Sequence, residues 1–373
     1  MQQNGNLKPE AAAPRLWILA SPHSGDNTQL LALAEGLAWP FEVKRLVYWK
    51  FEEGLRFLGL PTLLGVDRAA SSPLAAPWPD LVICAGRGAE AVVFWIRKKA
   101  NPKLRIVFIG TPWAGPAKFD LVITTPQYGL AEAANILHND LPIHGVTAQK
   151  IAPEADIWRG RLGHLPSPRI ALLVGGSSGP YLFTAERAAR LGAEAGAVAR
   201  SIGASLLVTT SARTSTEAAD ALAAAITVPH YFHRWEMAQD NNPFLGFLGL
   251  SDRIIVTADS ISMLAEACVT GKPVSLFDIE EGPQAMRAEE SRPKVWGAMP
   301  AIHWRGRNLS TTFFRLLMNM APVRWSRDLR IVHRGLTASG LASWLGKENL
   351  QARLEPQRAR ERSTARIRQL FGL

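Results

Sequence analysis

Residues 251–279 read SDRIIVTADSISMLAEACVTGKPVSLFDI, and they spell out a strand, a loop, a helix, a turn and a second strand. Arg253 to Thr257 is a short β-branched run, the signature of a buried parallel strand. Ser260 is placed to N-cap the following helix, whose apolar face is Met263, Leu264, Ala267 and Cys268. Gly271 stops that helix, Pro273 prevents it resuming, and Val274 to Phe277 forms the next strand. The loop Asp259–Ser260 at the carboxyl end of a strand feeds a helix N-terminus, which offers backbone N–H groups and a positive dipole end to an anion. Glu266 lies within two turns of that start, placed to accept hydrogen bonds from a sugar diol beside the anion.

The same unit recurs towards the N-terminus. Arg15 to Ala20 predicts a strand and Thr28 to Leu37 a helix, with Leu30, Leu31, Leu33, Ala34 and Leu37 at helical spacing. Between them lies Ser21-Pro-His-Ser-Gly-Asp-Asn, at the place where α/β proteins build ligand sites. His23 and Asp26 are the candidate base or acceptor-binding groups, with Ser24, Gly25, Asn27 and Gln29 around them; Asn27 alternatively caps the helix. Phe41 to Val47 predicts a second strand. Tyr48 to Leu60 reads as an aromatic-rich amphipathic helix or pair of turns, packed in a core or facing a membrane interface. Leu81 to Ala85 is a strand leading through Gly86-Arg87-Gly88 into a helix from Ala89 to Lys98. Ala91 stands where a dinucleotide fingerprint needs its third glycine, and Arg87 either holds a phosphate or is solvated. Leu104 to Ile109 and Leu121 to Thr125 complete a parallel, doubly wound first half.

Ile151 to Pro168 carries prolines and mixed charge without a clear period, and is the expected interdomain linker. A second half starts with the strand Arg169 to Val174 and the loop Gly175-Gly176-Ser177-Ser178-Gly179, small residues that let a ligand approach the backbone and whose N–H groups can cradle oxyanions. No Gly-Lys-Ser/Thr follows, so it is not a Walker A loop. Thr184 is placed to cap a helix running to Ser201. Ser205 to Thr209 is the next strand, and its loop carries Ser211 and Arg213, which either reaches a diphosphate with its guanidinium fork or is a solvated arginine at a helix start. His230 and Tyr231 are expected near a nucleobase, and Asn242 is placed to cap a helix-like segment reaching Leu250. Beyond Ile279 the α/β period fades. Leu309 to Met320 and Leu336 to Leu345 read as helices, and Leu350 to Leu373 as an Arg-dense final helix.

Composition sets the limits. The 373 residues are 47% hydrophobic with a mean hydropathy of +0.01, enough for two globular domains. Cys84 and Cys268 are the only cysteines; both sit in apolar segments and read as buried reduced thiols. Met1 to Pro14 reads as a disordered polar tail rather than a signal peptide. No apolar run reaches the roughly 18–20 residues of a spanning helix, so a soluble, cytoplasmic protein is expected. The net charge of +10 has three readings: nucleic acid, disfavoured because no aromatic-plus-basic RNA-binding motif is present; an anionic membrane or lipid-linked substrate; or simply a basic surface.

Ser260-x-Ser-Met-x-x-Glu-Ala-x-x-x-Gly-Lys-Pro-Val resembles the nucleotide-sugar-binding segment of GT-B glycosyltransferases, including the GlcNAc transferase acting on lipid-linked peptidoglycan precursors. From Leu16 to Leu345 the chain resembles the "elongated mitochondria" fission-factor family, on SGDNTQ, PDLVICAGR, GGSSGPY and NPFLGFLGLSDRIIVTADS. The resemblance implies a GT-B-like α/β fold: two Rossmann-like parallel-sheet domains, residues 15–155 and 169–345, facing a cleft and joined by 156–168, with the basic helix of 346–373 crossing back. It implies a nucleotide-sugar donor held by Gly175 to Gly179, Ser211, Arg213, His230, Tyr231, Asp259, Ser260, Ser262, Met263 and Glu266. The acceptor, a glycan or lipid-linked molecule, would meet Ser24, Gly25, Asn27, Gln29, Gly86 and Arg87, with Asp26 or His23 taking its proton. No Asp-x-Asp occurs, and Asp278-Ile-Glu280 is the nearest acidic pair, so neither metal nor cofactor is expected. Peripheral contact with the inner face of an anionic membrane is a further expectation. Two other readings stay open: a nucleotide-sugar 2-epimerase of the same fold, and a non-catalytic, membrane-associated scaffold.

Overall fold

A computed structural model describes residues 13–21, 24–49, 61–99, 102–178, 181–236, 241–281, 285–287, 327–347 and 358–373. The chain forms two compact units, each built on one parallel sheet.

The first unit holds β1 (Leu16–Ala20), α1 (Ser24–Leu37), β2 (Phe41–Arg45), β3 (Leu81–Ala85), α2 (Arg87–Lys99), β4 (Arg105–Ile109), β5 (Leu121–Thr124) and β6 (Ile136–His138). The strand order is β2-β1-β3-β4-β5-β6, all parallel. Leu81 to Ala85 is buried along its whole length, as a central strand covered on both faces must be. Leu30, Leu33, Ala34 and Leu37 are the buried stripe of α1, at the spacing that puts them on one face. Both helices begin earlier than expected, α1 by four residues and α2 by two. The segment expected as a helix from Tyr48 to Leu60 lies mostly outside the described residues.

The last helix, α9 (Ala359–Gln369), rejoins this first unit. Its Ser363, Thr364 and Ile367 are buried. Arg368 Nη2 donates to the Leu37 carbonyl at the end of α1 at 3.0 Å, a cation meeting the negative end of a helix dipole. Phe371 meets Trp39 edge-on at 5.4 Å. Part of the expected basic surface is thus spent on intramolecular packing.

The second unit holds α3 (Ala148–Leu162), β7 (Arg169–Leu173), α4 (Ala185–Ser201), β8 (Ser205–Thr209), α5 (Thr216–Ala225), β9 (His230–His233), α6 (Phe244–Leu250), β10 (Arg253–Thr257), α7 (Ile261–Cys268), β11 (Val274–Phe277), α8 (Leu329–Ala338) and β12 (Ser343–Trp344). The strand order is β12-β11-β10-β7-β8-β9, again all parallel.

The linker expectation is corrected here. Residues 148–162 are α3, capped by Thr147 and belonging to the second unit. Trp158 of α3 is buried and packs edge-on against Phe247 at 5.7 Å. The glycines of FLGFLGL make this possible: a Cβ on Gly246 would lie 2.3 Å from Trp158, and one on Gly249 2.5 Å from Ala155. Pro153 inside α3 broke the helical reading; at the sixth helical position it forgoes the bond to the Gln149 carbonyl, yet the helix runs on through it to Leu162. The short helix expected at Leu336 to Leu345 is instead the end of α8 followed by β12. Leu309 to Met320 lies outside the described residues.

Candidate functional site

In the second sheet β7 is followed outward by β8 and β9, and β10 by β11 and β12. The loops leaving β7 and β10 therefore diverge and open a crevice at the strands' carboxyl ends, the usual ligand position in such sheets. Gly175 and Gly176 sit there because nothing larger fits. A Cβ on Gly175 would lie 2.4 Å from Asp259 Oδ2 and 2.9 Å from Arg213 Nη2, and one on Gly176 2.2 Å from the Arg213 carbonyl oxygen. Gly176 also has φ +131°, a region L-residues avoid. The Gly175 N–H donates to Thr257 Oγ1 at 2.8 Å, and its carbonyl accepts from Ser211 Oγ and Thr214 Oγ1.

This corrects the expectation of a glycine loop open to a ligand. The space is occupied by the protein's own Arg213 and Asp259. The N–H groups of Ser177 and Ser178 are spent on the carbonyls of Arg213 and Tyr181, at 3.1 and 2.9 Å, and Ser177 Oγ accepts from the Phe183 N–H at 3.0 Å. Gly179 lies outside the described residues.

The donors left over are on Arg213 and α7. Arg213 Nη1 donates to Asp259 Oδ2 at 2.6 Å and to the carbonyls of Gly176 and Ser177 at 3.4 and 3.3 Å. Its Nε and Nη2 have no hydrogen-bond partner among the described residues, and the side chain is 38% exposed. Asp259 is fully buried. Desolvation pushes its carboxyl above the usual carboxylate range, offset by Arg213 and Thr257. Ser260 occupies the N-cap position of α7, yet its hydroxyl makes no cap bond. The N–H groups of Ile261, Ser262 and Met263 also have no backbone acceptor among the described residues. An uncapped helix start is a set of unspent donors at a positive dipole end.

Along α7, Ile261, Leu264, Ala265, Ala267 and Cys268 are buried, leaving Ser262, Met263 and Glu266 on the more open stripe. Glu266 stands about 9 Å along the axis from Ser260, at 1.5 Å per residue. Its carboxyl has no hydrogen-bond partner among the described residues, and desolvation pushes its pKa up to about 7.

His230 and Tyr231 fall at the wrong end of the sheet. His230 pairs with Leu206 at the amino end of β8, and the Tyr231 ring packs on Trp158 and Phe247 at 5.7 and 6.0 Å. The residues at the ligand end of β9 are His233 and, just beyond it, Trp235, which is 41% exposed and whose N–H donates to Thr210 Oγ1 at 2.9 Å. Counting four residues of strand from His230 would have pointed to them. His333 of α8 was also missed: its buried Nε2 lies 2.7 Å from the Ala258 carbonyl, next to Asp259. Burial lowers its pKa to about 4, so it is neutral and Nε2–H is the donor. Asp278 and Glu280 are not free for a cation: Asp278 accepts the N–H groups of Glu280 and Arg287, and Glu280 is clamped by both ends of Arg187.

The first sheet has its own switch point, between β1 and β3. Asn27 closes the loop there: Oδ1 accepts the Ser21 N–H and Nδ2 donates to the Ser21 carbonyl, both at 2.8 Å. Its amide is a loop clamp rather than an acceptor contact. Asp26 Oδ2 accepts from Ser21 Oγ at 2.8 Å, and Gly86, at φ +78°, lies beside it with space for a Cβ no closer than 3.7 Å to any atom. Arg87 stacks over Trp113, 4.9 Å from the ring centroid. The loop bearing Trp113 is held by Glu90, a buried carboxylate accepting the N–H groups of Trp113 and Ala114 at 2.6 and 2.7 Å. Gly25 and Gln29 are half-buried near the start of α1, while His23 and the Ser24 side chain lie outside the described residues. Among the described residues no cluster of His, Cys, Asp or Glu has metal-ligating geometry, and no helix is long and apolar enough to cross a membrane.

Comparison with known proteins places the chain in a family. The chain is 24% identical over 245 residues to the "Mitochondrial fission protein ELM1" of Arabidopsis thaliana, covering 58% of this chain and 57% of that protein's length. Among solved structures it is similar to the UDP-GlcNAc 2-epimerase of Methanocaldococcus jannaschii in complex with UDP-GlcNAc and UDP, with TM-score 0.50 at 11% identity over 96% of this chain and 99% of that one. It is also similar to Acinetobacter baumannii MurG, with TM-score 0.41 at 13% identity over 96% and 92% of the two chains. The fold, two Rossmann-like parallel sheets with a final helix rejoining the first, is the GT-B fold. The family model described as "Mitochondrial fission ELM1" matches residues 24–294, well over half of the chain, which therefore belongs to that family.

Proposed function

We propose that the protein is a glycosyltransferase that takes a sugar from a nucleotide-sugar donor and passes it to a glycan or lipid-linked acceptor. The observation that carries this reading is the uncapped start of α7 beside the partly exposed Arg213, with Glu266 farther along the same helix. The free N–H groups and the guanidinium would receive the diphosphate, and Glu266 would accept hydrogen bonds from the ribose diol. Trp235, exposed at the end of β9, offers a ring face for the base. In the reaction the acceptor oxygen bonds to the anomeric carbon while the bond from that carbon to the diphosphate oxygen breaks. The electron pair leaves with the diphosphate, where the donors of α7 and Arg213 stabilise it. The acceptor proton passes to a general base, the role for which Asp26 is the candidate from the sequence.

Thermal denaturation with UDP, GDP, ADP and CMP at millimolar concentration tests the donor site. One nucleotide should raise the midpoint by several degrees, and Glu266→Ala should remove that shift. No shift with any of the four would overturn the transferase reading and favour a scaffold that keeps only the fold. Incubating the matching nucleotide sugar alone and finding its 2-epimer would assign the site to epimerisation instead.

A further inference from the structure

Asp259 lies against Gly175 and is buried. Oδ2 is committed to Arg213 at 2.6 Å, and Oδ1 is buried with no hydrogen-bond partner among the described residues. The ion pair fills the space of the missing Gly175 Cβ. All three bonds of the Arg213 side chain run through Nη1, to Asp259, Gly176 and Ser177. A guanidinium is planar, so fixing one nitrogen on three acceptors orients the edge formed by Nε and Nη2. That edge is the pair of donors that matches two oxygens of a phosphate. A surface arginine would sample many rotamers and give up that freedom on binding; this one has given it up already.

We propose that Asp259 is a positioning residue, which acts through Arg213 to present a preset two-donor edge to a phosphate group, and that this edge makes the site select phosphorylated nucleosides over bare ones. The inference rests on the donor-site reading above and names the part of the ligand that the pair recognises. The glycine doublet then has a physical role. Gly175 leaves room for the carboxylate and guanidinium to meet, and Gly176 lets the strand-to-loop turn pass under the Arg213 carbonyl. Asp259 needs no contact with the ligand: Arg213 is the charged group that faces it, and their contact offsets part of the cost of burying the carboxylate.

Calorimetric titration of the full chain with uridine, UDP, GDP, ADP and inorganic pyrophosphate tests this. Pyrophosphate and one nucleoside diphosphate should bind the wild type, and Asp259→Asn and Arg213→Gln should each weaken both by roughly ten- to a hundredfold, the range of a charge-assisted hydrogen bond. The double variant should be no weaker than either single one, because the two residues act as one device. Uridine should bind all variants alike. Should Asp259→Asn not fold, Arg213→Lys decides. A lysine keeps the charge but spends its ammonium on Asp259, so it should behave like Arg213→Gln. Undiminished binding by Asp259→Asn, additive losses in the double variant, or full binding by Arg213→Lys would overturn the proposal. If pyrophosphate shows the expected pattern while no nucleoside diphosphate binds better than pyrophosphate, the positioning role stands and the nucleotide-sugar reading falls. If no phosphate compound binds, both fall.

Discussion

The two sheets share a topological device and charge it oppositely. At the switch point of the first sheet a carboxylate, Asp26, faces the crevice side of the loop and is held by Ser21, while the cation Arg87 leans away onto Trp113. At the switch point of the second sheet the carboxylate, Asp259, is fully buried against its cation, and Arg213 is the partly exposed member of the pair. The first arrangement suits a group that accepts a proton or a hydroxyl hydrogen bond, and the second suits an anion. The difference shows that position in an α/β fold says where a ligand goes, while the sign of the site depends on which partner of each charge pair is put in front.

The glycines break this comparison most severely. Gly176→Ala forces a left-sided φ of +131° on an alanine and drives its methyl into the Arg213 carbonyl at 2.2 Å. Backbone cannot rotate away as a side chain would, so a loss of about 3 kcal/mol is expected from strain plus overlap. Gly86→Ala, at φ +78° in the first unit, meets nothing closer than 3.7 Å and should cost about 1 kcal/mol, the conformational term alone. Urea unfolding followed by circular dichroism measures both. Equal losses would mean that the second loop relaxes freely and that its glycines do not make room for the ion pair.

A smaller effect, with a sign that depends on pH, belongs to Glu266. Its folded pKa is raised from 4.5 to about 7 because burial disfavours the charged form. Between those values the folded state holds a proton that the unfolded state has released. Stability from this group is therefore full below about 4.5 and is lost as pH rises towards 7. Glu266→Gln should melt higher than wild type at pH 8 and equally at pH 4.5. Nucleotide binding should respond in the opposite sense. A ribose diol donates to the ionised carboxylate, so wild-type affinity should fall as pH drops through about 7, and the glutamine variant should bind weakly at every pH. A variant both more stable and no weaker in binding would place the ribose elsewhere.

Much of this was legible in the chain itself. Short apolar runs bounded by small residues located nine of the strands, as at Arg253–Thr257 and Leu81–Ala85, and missed β6, β9 and β12. Glu266 and Arg213 were singled out because their residue types fit a ligand's chemistry at set points of a strand-loop-helix unit, and the structure has both in such units. The glycine doublet was misread because the atoms filling its Cβ space come from Arg213 and Asp259, and no local pattern reports a contact across that sequence distance. Tyr231 was misplaced because an aromatic at a strand's amino end and one at its carboxyl end look alike without register. Helix α3 was lost to Pro153, and the His333 bond to Ala258 joins segments that only packing brings together.

Arg87 gives the smallest effect and the sharpest contrast with Arg213. It is exposed and stacks on Trp113 at 4.9 Å, and the buried carboxylate near it, Glu90, is held first by the N–H groups of Trp113 and Ala114 and only then by Arg87. A cation–π contact at an exposed site contributes about 0.5 kcal/mol, so Arg87→Gln should shift stability by no more than that. Arg213→Gln strips a buried carboxylate of its counter-ion and should cost more, discounted because the arginine is itself partly in water. The carboxylate left behind would then be favoured in its protonated form, so the Arg213→Gln loss should shrink as pH falls, while the Arg87→Gln loss stays flat. Chemical denaturation of both variants at pH 5 and pH 8 reads this directly. Parallel pH dependence for the two would mean that Arg87 also shields a buried carboxylate. Glu90, the nearest one on its own helix, would be the group to examine, and the two switch points would then be alike in how they hold their charge.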